Sequence, residues 1–157
     1  TGVRDCPCSN PPSVEGRGCD NSSGTGGATL RASGSSYLSA DDLVFRCDGE
    51  VPGAASTLVQ GSAPMSQGGV YGQGVRCIAG AMKRLFTRRA GNGSAILPDF
   101  EMGESPISLR SAALGDVIHA GESRWYLVQY RDHVVLGGCP ATSTFNATPT
   151  LMVEWWY

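Results

Sequence analysis

The sequence predicts an all-β protein, an antiparallel β-sandwich or jelly roll of about eight short strands braced by disulfides. Composition gives the first indication, because Gly contributes 22 of the 157 residues, charged residues 17% and hydrophobic residues 41%. These proportions fit a folded chain with many turns rather than a disordered one. The second indication is a recurrence of short alternating or β-branched stretches, each bounded by Gly, Pro, Asn or Ser. The third is an even count of six Cys.

The composition and hydrophobic pattern of the chain change after residue 26. Residues 1–26 are rich in Cys, Pro, Gly and Asn and lack hydrophobic periodicity, so we expect an irregular segment that needs cross-links to hold its shape. Residues 27–157 carry the strand-like pattern and are predicted to form the β-sandwich domain, whose last strand is aromatic and spans 150–157.

Eight stretches between turn-forming sequences are predicted as strands. In chain order they are ATLRAS (28–33), DLVFRC (42–47), STLVQG (56–61), VRCIAGAMKRLFTRR (75–89), SAIL (94–97), ISLRS (107–111), SRWYLVQYRDHVVL (123–136) and TLMVEWWY (150–157). Residues 78–89 could also be a helix, but Gly80 and its β-compatible neighbours favour a strand. Asn92 followed by Gly93 predicts a tight hairpin turn before SAIL.

Alternation assigns faces to two of these strands. Tyr126, Val128 and Tyr130 fall on one side of the strand over 123–136, which is the period of a half-buried strand. In KRLFTRR (83–89), strict alternation places Leu85 and Phe86 on opposite faces and divides the basic side chains between both. Because that charge is split and the net charge is −2, we do not expect a nucleic-acid partner. The run is typical of a solvated or interface strand.

Cysteine usage predicts a disulfide framework. The six residues are Cys6, Cys8, Cys19, Cys47, Cys77 and Cys139. The spacing Cys-x-Cys is too tight for the paired thiolates of a zinc site, and no second pair follows, so we expect no metal or other cofactor. Spacing alone does not fix connectivity. The pairing we expect is Cys8–Cys19, Cys77–Cys139 and Cys6–Cys47.

Disulfides also predict the compartment, since they persist in oxidising surroundings. The chain begins at Thr1 rather than Met, and we interpret it as a mature secreted or cell-surface protein whose leader has been removed. No apolar run approaches the roughly 20 residues of a membrane-spanning helix, so we expect no membrane span.

Catalytic signatures are absent from the sequence, which predicts that the protein is not an enzyme. No G-x-S-x-G motif occurs. His119 and His133 are the two imidazoles, and only the second has a neighbouring carboxylate, Asp132. A hydrolase built on either His remains an alternative hypothesis. Asn21, Asn92 and Asn146 begin N-x-S/T triplets in predicted loops and are candidate glycan attachment sites.

Several motifs resemble a secreted β module of environmental, planctomycete-type bacteria that is rich in Gly, Ala and Ser and contains cysteines. The motifs are CPCSN (6–10), GCDNS (18–22), GATLRASG (27–34), GQGVRC (72–77), RL (84–85), YLVQYRD (126–132), Cys139 and TFN (144–146). The resemblance implies a non-enzymatic surface domain. Proteins of similar texture look like subunits of extracellular helical filaments, in which a terminal segment of one subunit enters its neighbour. Cys47 and the strongly aromatic ending depart from the pattern.

The segment TLMVEWWY is the strongest candidate for a functional surface, and three interpretations compete. It could close the protein's own sandwich, it could pair with or be donated to a second copy, or it could end an outer-membrane barrel. The Cys-rich first segment and the lack of repeated long strands argue against the barrel. The candidate interface residues are Leu151, Met152, Val153, Trp155, Trp156 and Tyr157.

These observations predict a secreted structural protein that assembles with itself, head to tail, into a helical pilus-like filament. The alternative is a monomeric surface module for adhesion or carbohydrate binding. In that case exposed aromatic side chains, with Trp125, Tyr126 and Trp156 as candidates, would stack on sugar rings.

Overall fold

The computed structural model describes residues 3–157, and the predicted all-β class is confirmed. Ten strands are present: β1 (Thr29–Ser33), β2 (Val44–Asp48), β3 (Ala55–Gly61), β4 (Ala63–Tyr71), β5 (Gly74–Ala79), β6 (Lys83–Arg89), β7 (Ser94–Leu97), β8 (Ser123–Arg131), β9 (Phe145–Ala147) and β10 (Leu151–Glu154). A single-turn 3₁₀ helix (Phe100–Met102) and one short α-helix, α1 (Ile107–Ala113), lie between β7 and β8.

The strands form three antiparallel units. The front sheet has the order β1-β2-β7. The central sheet has the order β10-β8-β3-β6, and β9 pairs with the same edge of β8 as β10, further along the strand. Strands β4 and β5 form a hairpin of their own.

The main core lies between the front and central sheets. Phe45 of β2 meets Tyr126 of β8 with their ring centroids 4.7 Å apart. Tyr126, Val128 and Tyr130 are all fully buried in this core, which confirms the alternation read from the sequence. The opposite face of β8 carries Leu127, which packs in a second cluster beneath the β4–β5 hairpin. The central sheet is therefore covered on both faces over part of its length.

Strand β6 departs from the predicted alternation. The pairing between β3 and β6 shifts by one residue after Leu58, so that Leu58 pairs with Phe86 and Val59 with Arg84. Leu85 is the extra residue of this β-bulge, and both Leu85 and Phe86 are buried. A bulge lets two consecutive side chains turn inward, which strict period-two reasoning cannot anticipate.

Two predicted strands differ in the structure. The ISLRS segment was predicted as a strand but forms α1, with Ile107 and Ser111 buried one turn apart on the same helical face. Pro106 is the N-cap residue, with an extended backbone, and the helix begins directly after it. The long strand predicted over 123–136 ends at Arg131, and β4 runs through the SQGG sequence that was predicted as a turn.

The strand predicted over 75–89 is divided by a turn in the structure, whereas the turn predicted at Asn92-Gly93 is present. Residues 75–89 form two strands, β5 and β6, and Gly80 lies in the turn between them with φ 74°. Asn92 and Gly93 both have positive φ, 52° and 78°, as a two-residue hairpin turn requires. The turn closes a single bridge between Gly91 and Ser94, after which β7 pairs with β2 rather than with β6. It therefore transfers the chain from one sheet to the other.

All three expected disulfide pairings are wrong. The structure has Cys6–Cys19 and Cys8–Cys139, while Cys47 and Cys77 are free thiols. Cys47 is directed from β2 into the main core and is fully buried there. The compartment prediction is supported at the coarser level, since two disulfides fit an oxidising environment.

The described part of the first segment, residues 3–26, contains no helix or strand and packs onto the β domain. The Asn10 amide donates to the carbonyl oxygens of Asp20 and Gln73, at 2.7 and 3.0 Å. Side-chain hydrogen bonds and disulfides therefore do here what strand pairing does elsewhere. Neither described helix has the length and apolar character needed to cross a bilayer.

Candidate functional site at the edge of the central sheet

Strand β10 lies in the protein's own central sheet. Its residues pair antiparallel with β8, from Leu151 opposite Tyr126 to Glu154 opposite Ser123. Leu151 and Val153 are partly buried against the main core, and Trp155, just after the strand, is fully buried in it. These three members of the predicted interface set therefore contact their own chain.

The remaining members of that set lie outside. Side chains alternate along the strand, so Met152 and Trp156 point away from the core, and they are 58% and 47% exposed. Tyr157 is 86% exposed. Met, Trp and Tyr are enriched in the centres of protein interfaces, and these three are exposed, Met152 on β10 and Trp156 and Tyr157 just after its end.

The backbone of β10 has one free edge. The Trp155 N–H donates to the Glu122 carbonyl at 2.9 Å, so by alternation the N–H and C=O groups of Met152 and Glu154 point away from β8. Within residues 3–157 no backbone hydrogen bond satisfies those four groups. Solvent-exposed strand edges of this kind are templates for pairing with another chain.

Residues 36–38 limit the length of this free edge. The Trp156 N–H donates to Ser36 at 3.1 Å, and the Leu38 N–H donates to the Trp156 carbonyl at 2.8 Å. The result is an isolated parallel bridge between Tyr37 and Trp156. Tyr37 is itself 51% exposed, and the bridge places it beside Trp156. Its sequence context gave no signal of this, because the contact joins segments more than a hundred residues apart.

A charged turn holds the C-terminal end of β10 in place. The Arg124 guanidinium lies 2.9 Å from Asp116 and 3.0 Å from Glu122. The backbone N–H of His119 also donates to Glu122, and this bond, reinforced by Arg124, holds the pKa of that carboxyl below its usual range. The Gly121 N–H in the same turn donates to the Trp155 carbonyl at 2.7 Å. The position of β10 is therefore fixed by both core packing and charge.

Strand β6 forms the opposite edge of the central sheet. It carries four of the chain's basic residues, which are Lys83, Arg84, Arg88 and Arg89. Arg88 pairs with Glu104 at 2.8 Å and with Asp99 at 3.5 Å. One main-chain acceptor on this strand is occupied, because the Arg110 side chain from α1 donates to the Leu85 carbonyl at 2.8 Å.

The sequence-predicted glycan sites separate clearly. Asn21 and Asn146 are buried, and both of their amide nitrogens are hydrogen-bonded: Asn21 to the Gly49 carbonyl at 2.8 Å and Asn146 to the Asp20 carbonyl at 2.9 Å. An amide nitrogen in that state is inaccessible, so the prediction of glycan attachment is wrong for these two sites in the folded chain. Asn92 lies exposed in its turn and remains a candidate.

Other predicted residues are also placed by the structure. Tyr126 is fully buried and cannot stack on a sugar, whereas Trp125 is half-buried and Trp156 exposed. His119 and His133 are both exposed, and in the described part of the chain neither imidazole bonds a serine or carboxylate. Within residues 3–157 no group of three or more His, Cys, Asp or Glu side chains is placed to hold a metal.

A cavity of about 560 Å³ lies between the Cys-rich segment and the start of β10. Its walls include the Cys6–Cys19 disulfide, Pro11 and Thr150, together with the free thiol of Cys77. Burial raises the pKa of that thiol, so it is held in the protonated form rather than as a reactive thiolate.

The chain matches no protein-family model, no curated protein and no solved structure.

Proposed function

We propose that this chain is the subunit of an extracellular structural filament, and that copies join through the free edge of β10. The observation that supports this is the combination of unpaired main-chain groups at Met152 and Glu154 with the exposed side chains of Met152, Trp156 and Tyr157. Edge pairing supplies main-chain hydrogen bonds, while the exposed side chains supply apolar contact area.

Edge pairing is favoured over donation of the strand. Donation would remove Trp155 from the main core, where its indole N–H donates to the Tyr126 hydroxyl at 3.2 Å. Removing a large aromatic side chain from a core costs about 3–5 kcal/mol. Contacts with the copy that receives the strand would have to offset that loss. Pairing at the outer edge leaves every intramolecular contact of β10 in place.

Two different edges of one sheet favour a chain of copies over a closed dimer. Strands β10 and β6 lie at opposite ends of the central sheet, so β10 of one copy against β6 of the next would continue the sheet indefinitely. The charges are complementary, since β10 carries Glu154 and β6 carries basic residues such as Lys83 and Arg89. An extracellular location agrees with the two disulfides.

The decisive experiment compares assembly of the native protein with that of an edge variant. Met152→Lys places a charge at the centre of the free edge, a device that blocks edge pairing in natural sheets. The matched control is Val70→Lys, since Val70 is also on a strand and is 53% exposed against 58% for Met152. Truncating residues 150–157 is unsuitable, because it would also remove the buried Trp155.

We expect concentration-dependent filaments by negative-stain electron microscopy and fast-sedimenting species in the ultracentrifuge for the native protein and for Val70→Lys. Met152→Lys should sediment as a folded monomer. Monomers in all three samples at high concentration would overturn the filament proposal. That outcome would favour the monomeric surface module, for which the exposed ring of Trp156 is the aromatic platform that a glycan-binding assay would test.

A further inference from the structure

The outer face of the central sheet has an uncovered end. The β4–β5 hairpin covers the part of this face around Val59 and Leu127, and β4 ends at Tyr71. Beyond that point the next row across the sheet is Thr87, Thr57 and Gln129. In the row after it, Ala55 pairs with Arg89. Since Ser56 pairs with Tyr130, the same register places Ala55 opposite Arg131 on its other side.

This uncovered end is concave. A cavity of about 240 Å³ lies over Thr57 and is lined by Arg84, Thr87, Gln129 and Arg131, among others. A second cavity, of about 340 Å³, lies over Ala55 and is lined by Arg89, Arg131 and His133. Because Ala55 and Arg131 line both, the two cavities form one groove, which we call the basic groove. The small side chain of Ala55 forms its floor.

The arginines of the basic groove have no carboxylate partner. Arg46, Arg88 and Arg124 each lie within 2.9 Å of an acidic oxygen. Within residues 3–157, by contrast, neither Arg84 nor Arg131 forms a salt bridge. Arg89 likewise has none and donates only to the Gly53 carbonyl, at 3.1 Å.

No Asp or Glu side chain lines either cavity in the described part of the chain. Three guanidinium groups without a carboxylate partner converge on this one groove, and such a concentration of positive charge attracts anions. A planar guanidinium binds carboxylate and sulfate oxygens through two parallel hydrogen bonds.

Neutral polar groups are interleaved with these charges. The hydroxyl oxygens of Thr57 and Thr87 lie 2.9 Å apart across the strand pair. The Tyr71 hydroxyl donates to the amide oxygen of Gln129 at 2.6 Å, which fixes the amide and leaves its NH₂ group as a donor facing the groove. A ligand that fits must offer hydroxyl groups or acceptors between its anionic groups.

We propose that the basic groove binds an acidic polysaccharide, with the carboxylates of uronic acids or the sulfate esters of the polymer on Arg84, Arg89 and Arg131 and the sugar hydroxyls on Thr57, Thr87 and Gln129. Single-stranded nucleic acid, the other common polyanion, is bound by stacking its bases on aromatic rings. Among the described residues that line the groove, the aromatic rings are those of Tyr130, which is fully buried, and of His133, a single imidazole in the second cavity. The groove thus offers charge and hydrogen bonds, but no row of aromatic rings on which successive bases could stack.

Binding should be tested on the full chain by calorimetry with four polymers: alginate as the polyuronate, heparin as the sulfated polymer, neutral dextran and poly(dT). We expect binding to alginate or heparin that weakens as salt increases, and no binding to dextran. Arg84→Gln combined with Arg131→Gln should weaken it about tenfold or more, since hydrogen bonds to charged groups contribute about 1.5–3 kcal/mol.

The matched control is Arg31→Gln, because Arg31 is also an exposed strand arginine but lies on β1 of the front sheet. The control should change affinity less than about twofold if the effect is local to the groove. Equal losses in both variants, or unchanged binding in the double variant, would overturn the proposal. Tighter binding to poly(dT) than to either polysaccharide would overturn it in favour of nucleic acid. Repeating the titrations with Met152→Lys keeps this result independent of assembly.

Discussion

The indole N–H of Trp155 lies 3.2 Å from the hydroxyl oxygen of Tyr126, and both side chains are fully buried. The Tyr126 hydroxyl in turn donates to the Gln60 amide oxygen at 3.0 Å, and the Gln60 NH₂ reaches Ser111 at 2.7 Å. Burial raises the pKa of Tyr126, which keeps its hydroxyl available as a donor. One chain of polar contacts thereby joins the end of β10, strands β8 and β3, and α1.

Replacing Trp155 should destabilise the fold far more than replacing its neighbour. Trp155→Ala removes a fully buried ring and leaves the Tyr126 hydroxyl without its indole partner, so we expect a loss of about 3–5 kcal/mol in the free energy of unfolding. Trp156→Ala, at a site that is 47% exposed, should cost less than about 1 kcal/mol. Urea denaturation followed by circular dichroism measures both, and equal losses would mean that Trp155 is not a core residue.

The two disulfides should differ in their contribution to stability. Cys8–Cys139 spans 131 residues and Cys6–Cys19 spans 13, and in the chain-entropy model such loops correspond to about 5 and about 3 kcal/mol. We therefore expect a larger fall in the free energy of unfolding when Cys8 and Cys139 are both replaced by Ser than when Cys6 and Cys19 are. Peptide mapping without reduction should find these two bridges and alkylated Cys47 and Cys77 after unfolding. Any bridge to Cys47 or Cys77 would contradict the connectivity.

Glu50 should make stability depend on pH. Its carboxyl is 1% exposed and accepts a hydrogen bond from the Ser56 hydroxyl, and burial raises its pKa above the usual range. Because the pKa of Glu50 is higher in the folded protein than in the unfolded chain, the contribution of Glu50 to stability is fully present at pH below the pKa of the unfolded chain. It is lost as the pH rises through the pKa of the folded protein. Glu50→Gln removes the titration, so its stability relative to the native protein should increase from about pH 4 towards neutral pH.

Unfolding free energies from urea melts across that pH range test the Glu50 prediction. The control is Glu154→Gln, on the exposed face of β10. A flat difference between Glu50→Gln and the native protein, or the same slope in the control, would contradict the assignment of the effect to a buried carboxyl.

Expression in a host that glycosylates N-x-S/T triplets should modify one of the three. Asn92 is exposed in a two-residue turn, whereas the amide nitrogens of Asn21 and Asn146 are buried and hydrogen-bonded. We expect glycopeptides that contain Asn92 from the folded, secreted protein, and a loss of the mass shift in Asn92→Gln. A glycan on Asn146 in protein with both disulfides intact would contradict its burial.

The fold class and most strands could be predicted from the sequence, because their signals are local. Period two in residues 126–130 predicted which side chains of β8 share a face, and Asn92-Gly93 predicted a turn with positive φ at both residues. The ISLRS segment was misjudged because five residues fit a strand and a helix equally well. Its helical form is decided by tertiary packing, which buries Ile107 and Ser111 on one face.

The strand predicted over 150–157 is shorter in the structure, because β10 ends at Glu154 and the three aromatic residues follow it. The roles of the individual residues could not be separated from the sequence. Sequence alternation gives two faces for residues 151–157 without saying which one meets the core. The pairing with β8 decides that Val153 and Trp155 turn inward and that Met152 and Trp156 turn outward. The register of two strands distant in sequence depends on the packing of the whole sheet.

The sequence by itself determined an all-β, turn-rich, disulfide-bearing chain that carries no obvious catalytic motif, since composition, periodicity and turn residues act over a few neighbours. Tertiary structure alone decided the disulfide partners and the basic groove. Cys8 meets Cys139 across 131 residues, and Arg84 and Arg131 line the same cavity because the bulge in β6 and the register of β3 with β8 bring them to one face. Contacts of that range are set by how complete sheets pack and pair, which no short window of sequence contains.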